Sequence, residues 1–252
     1  MTTLDDLAGV ARPATLYGIG VGPGDARYLT LRAAGLVRAV DVVAFFAKKD
    51  FPGNARRIVA PLMASDRHEL RFEYPVTGEV PADSAEYRHR ISAFYRRTAR
   101  TLAGLLRGGK SVGLLAEGDP FFYGSFMHMW RRLAGDFPVE VVPGVTGMSG
   151  CWTRAKTPIT WGDDVLAVLP GTLSESQIVE RLRLTDAAVI MKVGRNLGKV
   201  RRAVEQAGLL PRAIYVERGT MREERIVPLA ELGEPYGAYF AMVLIPGEGR
   251  CI

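Results

Sequence analysis

Short apolar runs bounded by glycine, proline and acidic residues alternate with longer amphipathic stretches along the whole chain. An apolar run of about four to eight residues between turn signals reads as a buried strand, whereas apolar residues recurring every three or four positions read as one face of a helix. Strands are accordingly predicted over 14–21, 41–46, 71–75, 111–116, 139–142, 165–169, 187–193, 213–217, 224–228 and 239–245. Helices are predicted over 30–40, 54–63, 84–107, 125–134, 174–183 and 197–207. In the first helix Leu31, Ala34 and Val37 keep helical spacing, with Arg32 and Arg38 outside them. The longest pattern carries Ile91, Phe94, Thr98, Leu102 and Leu105 as one stripe, and Arg88, Arg90, Arg96, Arg97 and Arg100 elsewhere. Such a basic face is either solvated or set against an anionic ligand. Alternation of strands and helices through both halves predicts two α/β domains, 14–142 and 146–252, after a loose lead-in that ends at Pro13.

The stretch Leu114–Gly124, LLAEGDPFFYG, carries the most chemical information. An apolar strand breaks into Glu117-Gly118-Asp119-Pro120 and continues directly into Phe121, Phe122 and Tyr123. Open α/β sheets present their sites at the carboxyl ends of strands, where glycine permits close backbone approach. Asp119 then offers a fixed acceptor or a counter-charge to a cationic ligand, although the same residues also suit a tight strand–helix turn. Further strand-end loops at 22–25, 144–147, 193–196 and 217–220 suggest a ligand site in the cleft between the two domains.

The glycine-rich turn after the first strand does not satisfy the dinucleotide fingerprint G-x-G-x-x-G. Counting from Gly18 places Pro23 at the third glycine, and counting from Gly20 places Asp25 there. No G-K-[ST] follows, so it is not a P-loop either. His68, His89 and His128 have no partners at metal-ligand spacing, and no G-x-S-x-G elbow is present. His128 reads as a packed or surface histidine rather than a base, and Asp163-Asp164 as a polar turn. No metal site is expected, and no catalytic base is assigned.

Composition narrows the class without changing the architecture. The 252 residues are 48% hydrophobic and 24% charged, as in ordinary globular proteins. No apolar run approaches the roughly 18–20 residues needed to cross a bilayer, so no membrane partner is expected. The N-terminal MTTLDDLAGVARP lacks a signal-peptide core, and the two cysteines, Cys151 and Cys251, form no disulfide framework; both suit the cytoplasm. The net charge of +6, from 33 basic and 27 acidic residues, favours an anionic partner. Without a basic-aromatic recognition motif, that partner is not expected to be nucleic acid.

Four stretches, Tyr17–Asp25 with Leu29–Ala33, Ala116–Gly124, Val141–Gly150 and Val216–Ile226, resemble the tetrapyrrole (corrin/sirohaem-type) methyltransferases, the class III S-adenosylmethionine enzymes. They span nearly the whole chain in the family's order. EGDPFFYGSFM and VVPGVTGMSG are most similar to members that methylate the C-20 meso carbon of precorrin-2 in cobalamin synthesis, giving precorrin-3A. Members acting on uroporphyrinogen III are expected to show a GGDP-type loop, where this chain has Glu117-Gly118-Asp119.

The resemblance implies two α/β domains of the tetrapyrrole methylase type, a methyl donor in the cleft between them, and a homodimer. Carried over by position, S-adenosyl-L-methionine contacts fall on Pro23, Glu117, Gly118, Asp119, Phe122, Thr146, Gly147, Val193 and Gly219. The strand around Met191-Lys192, just before Val193, departs from the family's commoner Tyr-Met-Gly form. An anionic tetrapyrrole with many carboxylates would find Lys48 and Lys49 near the end of the second strand. Alternatives left open by the residues are the cobalt-loaded ring of the anaerobic pathway, a nicotinamide-dependent oxidoreductase, and a non-catalytic tetrapyrrole-binding protein.

Overall fold

The computed structural model describes residues 9–76 and 84–249. Residues 1–8 of the lead-in and Cys251 lie outside them. The chain divides into two compact units, one ending at Thr146 and the other beginning at Gly147.

Unit 1 is built on a five-stranded sheet: β1 (Leu16–Gly20), β2 (Val42–Ala47), β3 (His68–Glu73), β4 (Val112–Ala116) and β5 (Val139–Val142), in the order β3-β2-β4-β1-β5. Every pairing is parallel. A parallel sheet must be covered on both faces, which is why β1 and β4 are buried at every position and read as unbroken apolar runs. Strand alternation divides the side chains between two cores. Tyr17, Ile19, Val43 and Phe45 pack with helix α1 (Leu31–Ala39) and the short α2 (Asn54–Val59). Leu16, Ala44 and Leu114 pack with α3 (Ala85–Arg107) and α4 (Phe126–Leu133).

This division places the ligand crevice of the sheet. Strands β1 and β4 are neighbours, yet β1 leads to α1 on one face and β4 leads to α4 on the other. The chain thus leaves neighbouring strands toward opposite faces, the arrangement that puts ligand sites beyond strand carboxyl ends in open α/β sheets. Gly18 lets α4 approach from its side: a Cβ there would lie 2.4 Å from the Phe126 ring.

Unit 2 holds β6 (Leu166–Pro170), β7 (Ala187–Met191), β8 (Ile214–Glu217), β9 (Arg225–Pro228) and β10 (Ala241–Ile245), ordered β6-β7-β10-β8-β9. Only β6 and β7 pair in parallel; β10 runs antiparallel to both β7 and β8. Helices α6 (Glu175–Leu182) and α7 (Leu197–Gln206) cover one face, and α5 (Gly147–Arg154) covers the other.

Several boundaries differ from the sequence pattern for identifiable reasons. β3 lies over His68–Glu73 instead of 71–75, because as an edge strand it carries exposed charged positions that hide its register. The helix predicted to Met63 tightens into a 3-10 turn at Ala60–Leu62, where Pro61 removes a donor. β7 stops at Met191 because Lys192 takes a left-handed backbone, φ 57°. The helix α5 escaped the pattern reading, since Gly147 and Gly150 blur its apolar face.

Helix α6 begins with a capping box in which the Ser174 hydroxyl accepts from the Gln177 N–H and the Gln177 side chain returns a bond to the Ser174 N–H. Replacing Ser174 by Ala is expected to cost about 0.5–2 kcal/mol, read as a lower midpoint in denaturant without a change of slope.

Candidate functional site

Three loops meet beyond the carboxyl ends of β1, β4 and β5, and they meet backbone to backbone. Gly22 and Gly118 form an antiparallel bridge, with Gly118 N–H donating to Gly22 O at 2.8 Å. Both take positive φ, 77° and 65°, which glycine adopts without strain. A Cβ on Gly20 would sit 2.6 Å from the Gly144 nitrogen, and one on Gly144 would sit 2.1 Å from Gly118 O. No side chain of any kind fits at this junction.

Asp119 locks the junction. Its Oδ1 accepts from the Phe121 N–H at 2.8 Å and its Oδ2 from the Gly144 N–H at 3.1 Å. The carboxylate expected to serve as a counter-charge is therefore committed to two backbone donors, and it joins the β4 loop to the β5 loop. Asp25 is committed as well: it caps the 3-10 turn Ala26–Tyr28 and pairs with Arg27 at 2.6 Å.

Glu117 is placed differently. It ends β4, its Oε1 accepts from the Ala55 N–H at 3.2 Å, and no described cation pairs with it. The residue is exposed, and the neighbouring protein still removes part of the hydration of its carboxyl group. That desolvation raises the carboxyl above the usual carboxylate range, outweighing the opposing effect of N–H bonds from its own backbone and from Ala55.

The other unit 1 candidates lie around this junction. Pro23 is buried beside Gly22. Phe122 is half-buried, donates its N–H to Asp119 O and packs edge-on to Tyr123 with ring centres 4.9 Å apart. Phe121 and Tyr123 are exposed, giving the loop an aromatic rim. Tyr123 holds φ at 55°, an uncommon conformation for an aromatic residue. The loop's far end is anchored by a contact that sequence spacing does not show: Ser125 Oγ lies 2.6 Å from the Tyr74 hydroxyl and 3.0 Å from that of Tyr95. Lys48 and Lys49 are exposed just after β2, at the same edge of the sheet. Thr146 closes this unit, half-buried.

In unit 2, β6, β7 and β8 point the same way, so the loops after them share one edge. Val193 is fully buried and begins a 3-10 turn at Gly194–Asn196. Gly219 is required by packing: a Cβ there would lie 2.8 Å from the Cys151 sulfur. Gly147 opens α5, and a Cβ on it would lie 3.0 Å from the Met242 methyl carbon. The strand-end residues Lys192, Arg218 and Thr220 all hold positive φ. Glu224 supports the last turn, accepting from the Thr220 N–H at 2.7 Å and pairing with Arg154 at 2.8 Å, which holds its carboxyl low.

Two residues with reactive side chains are structural. His128 stacks on Tyr95 at 4.1 Å, and burial with nearby Arg132 and Arg131 lowers its pKa. Burial pushes the Cys151 thiol up to about 12, far from thiolate chemistry. Asp164 accepts from the Trp161 N–H at 2.9 Å, as a turn residue does. Among the described residues no group of three or more His, Cys, Asp or Glu could hold a metal ion, and no helix is long and apolar enough to cross a membrane.

Glycine loops joined beyond the carboxyl ends of parallel strands, on a sheet with helices on both faces, define an α/β protein of the kind that binds ligands at its strand ends. Residues 15–234 match the family described as Tetrapyrrole (Corrin/Porphyrin) Methylases. The chain belongs to this family and is a methyltransferase. It is 50% identical over 232 residues to Precorrin-2 C(20)-methyltransferase of Sinorhizobium sp, covering 92% of this chain and 95% of that one. It is 40% identical to Cobalamin biosynthesis protein CobIJ of Mycobacterium bovis, of whose length it spans 46% while 94% of this chain is covered. Among solved structures, cobalt precorrin-4 methyltransferase, CbiF, is similar with a TM-score of 0.70 and 22% identity, over 92% of this chain and 95% of that one. Uroporphyrin-III C-methyl transferase from Thermus thermophilus, complexed with S-adenyl homocysteine, is similar with a TM-score of 0.63 and 24% identity, over 93% and 97% of the two chains. The last two share the fold.

The junction makes two substitutions informative. Asp119→Asn replaces one acceptor oxygen by a donor facing an N–H and is expected to cost about 1–3 kcal/mol. Gly144→Ala forces a backbone shift and is expected to cost about as much or more. Gly135→Ala, where a Cβ meets nothing within 4 Å, should stay within about 0.5 kcal/mol of the parent in the same denaturant titration.

Proposed function

We propose that this protein transfers the methyl group of S-adenosyl-L-methionine to the C-20 meso carbon of precorrin-2, giving precorrin-3A in cobalamin biosynthesis. The observation that carries the reading is the 50% identity to a Precorrin-2 C(20)-methyltransferase across 92% of this chain. The strand-end junction supports it, because its glycines hold three loops together at the carboxyl ends of parallel strands, where open α/β sheets bind ligands. A relative of the same fold carries S-adenyl homocysteine, the demethylated form of the proposed donor.

In this reading the backbone of Pro23 and Glu117–Asp119 and the ring of Phe122 take the donor in unit 1, with Thr146 at its end. Gly147, Val193 and Gly219 enter the donor set on the resemblance alone. Gly219 has an independent packing reason to be glycine, so its identity does not discriminate.

The sulfonium methyl is already activated, and a reduced tetrapyrrole meso carbon is nucleophilic in the manner of an enamine. Transfer then depends on alignment of the two reacting atoms and exclusion of water. The rigid junction suits that demand: Asp119, the Gly22–Gly118 bridge and the Ser125 anchor fix the loops that would hold the donor. Lys48 and Lys49 face the substrate's acetates and propionates. The protein acts as a homodimer in the cytoplasm.

Anaerobic incubation with precorrin-2 and methyl-labelled donor tests the reading by mass and carbon NMR. One labelled methyl at C-20 is expected. Transfer only to the cobalt-loaded ring would move the enzyme to the anaerobic pathway, and transfer to neither ring would discard the substrate. Reversing both Lys48 and Lys49 to Glu is expected to raise KM for the tetrapyrrole roughly tenfold, about 1.4 kcal/mol, with donor affinity unchanged. An unchanged KM would remove these lysines from substrate recognition.

A further inference from the structure

Resting on the reading above, the geometry points to the Glu117 carboxylate as the acceptor of the proton that leaves the methylated meso carbon. The step balances in two parts. The meso carbon attacks the donor methyl, the carbon–sulfur bond breaks with its electron pair staying on sulfur, and a neutral thioether departs. The ring is left cationic, with a tetrahedral carbon that bears both the new methyl and its original hydrogen. Glu117 takes that hydrogen as a proton, and the C–H electron pair restores the conjugated ring.

The assignment follows from how the acids of the loops after β1 and β4 are used. Asp25 is bound to Arg27, and Asp119 spends one oxygen on the Phe121 N–H and the other on the Gly144 N–H. Glu117 is the acid of the same turn that has neither an ion-pair partner among the described residues nor a bracing role between loops. It stands at the end of β4, one residue before the Gly22–Gly118 bridge, with Oε1 held by Ala55 N–H. Its side chain is accessible to solvent, and so to a ligand entering the crevice.

On α2, Arg56 is bound to Glu69 at 2.7 Å, and Lys48 and Lys49 extend from the exposed turn after β2. No charged neighbour contributes to the raised carboxyl pKa; desolvation does. A carboxylate raised in this way is a stronger base than a fully solvated one, as proton removal near neutral pH requires. The backbone of Glu117 and its side chain thus serve different partners, the loop for the donor and the carboxylate for the substrate.

The test is Glu117→Gln, whose amide oxygen keeps the Ala55 N–H bond and whose shape is unchanged. Because the fold raises this carboxyl's pKa, it disfavours the ionised form, a penalty present at pH above the folded pKa. Glu117→Gln should therefore melt at or above the parent temperature at pH 8. Affinity for S-adenosylhomocysteine, read by calorimetry, should be preserved. At saturating donor, kcat for C-20 methylation should fall by about 10²–10⁴-fold, and substrate deuterated at C-20 should show a primary isotope effect in the variant. A kcat within about threefold of the parent, or a large loss without an isotope effect, would overturn the assignment. If Glu117→Gln melts lower, Glu117→Ala decides: saturable rescue by formate supports the role, and failure of rescue overturns it. Normal C-20 methylation by the parent with an equally fast variant removes only the role of Glu117. Absence of C-20 methylation in the parent removes the proposed function and this role together.

Discussion

The contact on which unit 1 depends is the approach of three backbones at Gly20, Gly118 and Gly144. Parallel strands about 4.8 Å apart deliver their loops to one edge, and the helices that follow β1 and β4 pull those loops to opposite faces. Left alone, such loops would splay. Here they touch because Cβ atoms are missing where Gly144 meets Gly118 O and Gly20 meets Gly144 N. The carboxylate of Asp119 then holds the contact closed with one N–H bond inside its own turn and one to Gly144, 25 residues away in sequence. Everything else at the crevice, including the bridge at Gly22 and the aromatic rim from Phe121, takes its position from this junction.

Two acids in one turn acquire opposite duties from their surroundings. Asp119 receives N–H bonds on both oxygens and becomes part of the framework. Glu117, two residues earlier, is exposed but partly desolvated and has no described cation beside it, so its charge is disfavoured. The turn geometry causes the difference: Pro120 sends the chain back so that Asp119 faces the amides of Phe121 and Gly144, whereas Glu117 leaves β4 toward Ala55. Nothing in the string Glu-Gly-Asp-Pro distinguishes the two acids before the loops are assembled.

That limit marks how far the chain could be read in advance. Buried parallel strands such as Leu16–Gly20 and Val112–Ala116 were legible, because burial on both faces demands uninterrupted apolar residues. The edge strand β3 was not, since His68, Glu69 and Glu73 meet solvent. The helix α5 was hidden by its glycines, one of which, Gly147, packs against Met242. In the candidate site, residues 117–119 were legible as a strand-end turn, and the family resemblance carried the donor. Their partners were not, because Ala55 lies 62 residues from Glu117 and the hydroxyls around Ser125 come from β3's exit and α3. Local pattern reports burial and turns; it does not report which distant amide a carboxylate will meet.

Backbone strain shows the same division of labour at the other sheet. Lys192, Arg218 and Thr220 carry side chains in left-handed backbone conformations that cost on the order of 1–3 kcal/mol each. Such residues persist only where neighbours over-determine them. At Thr220 the neighbours are Glu224 and Arg154, the amide bonded to a carboxylate that the guanidinium keeps ionised. At Arg218 the amide is fixed to Phe240 O at 2.7 Å. A methyl transfer that relies on alignment more than on acid–base groups places its demand on backbone positions. Strand-end turns stabilised by packing and ion pairs meet that demand.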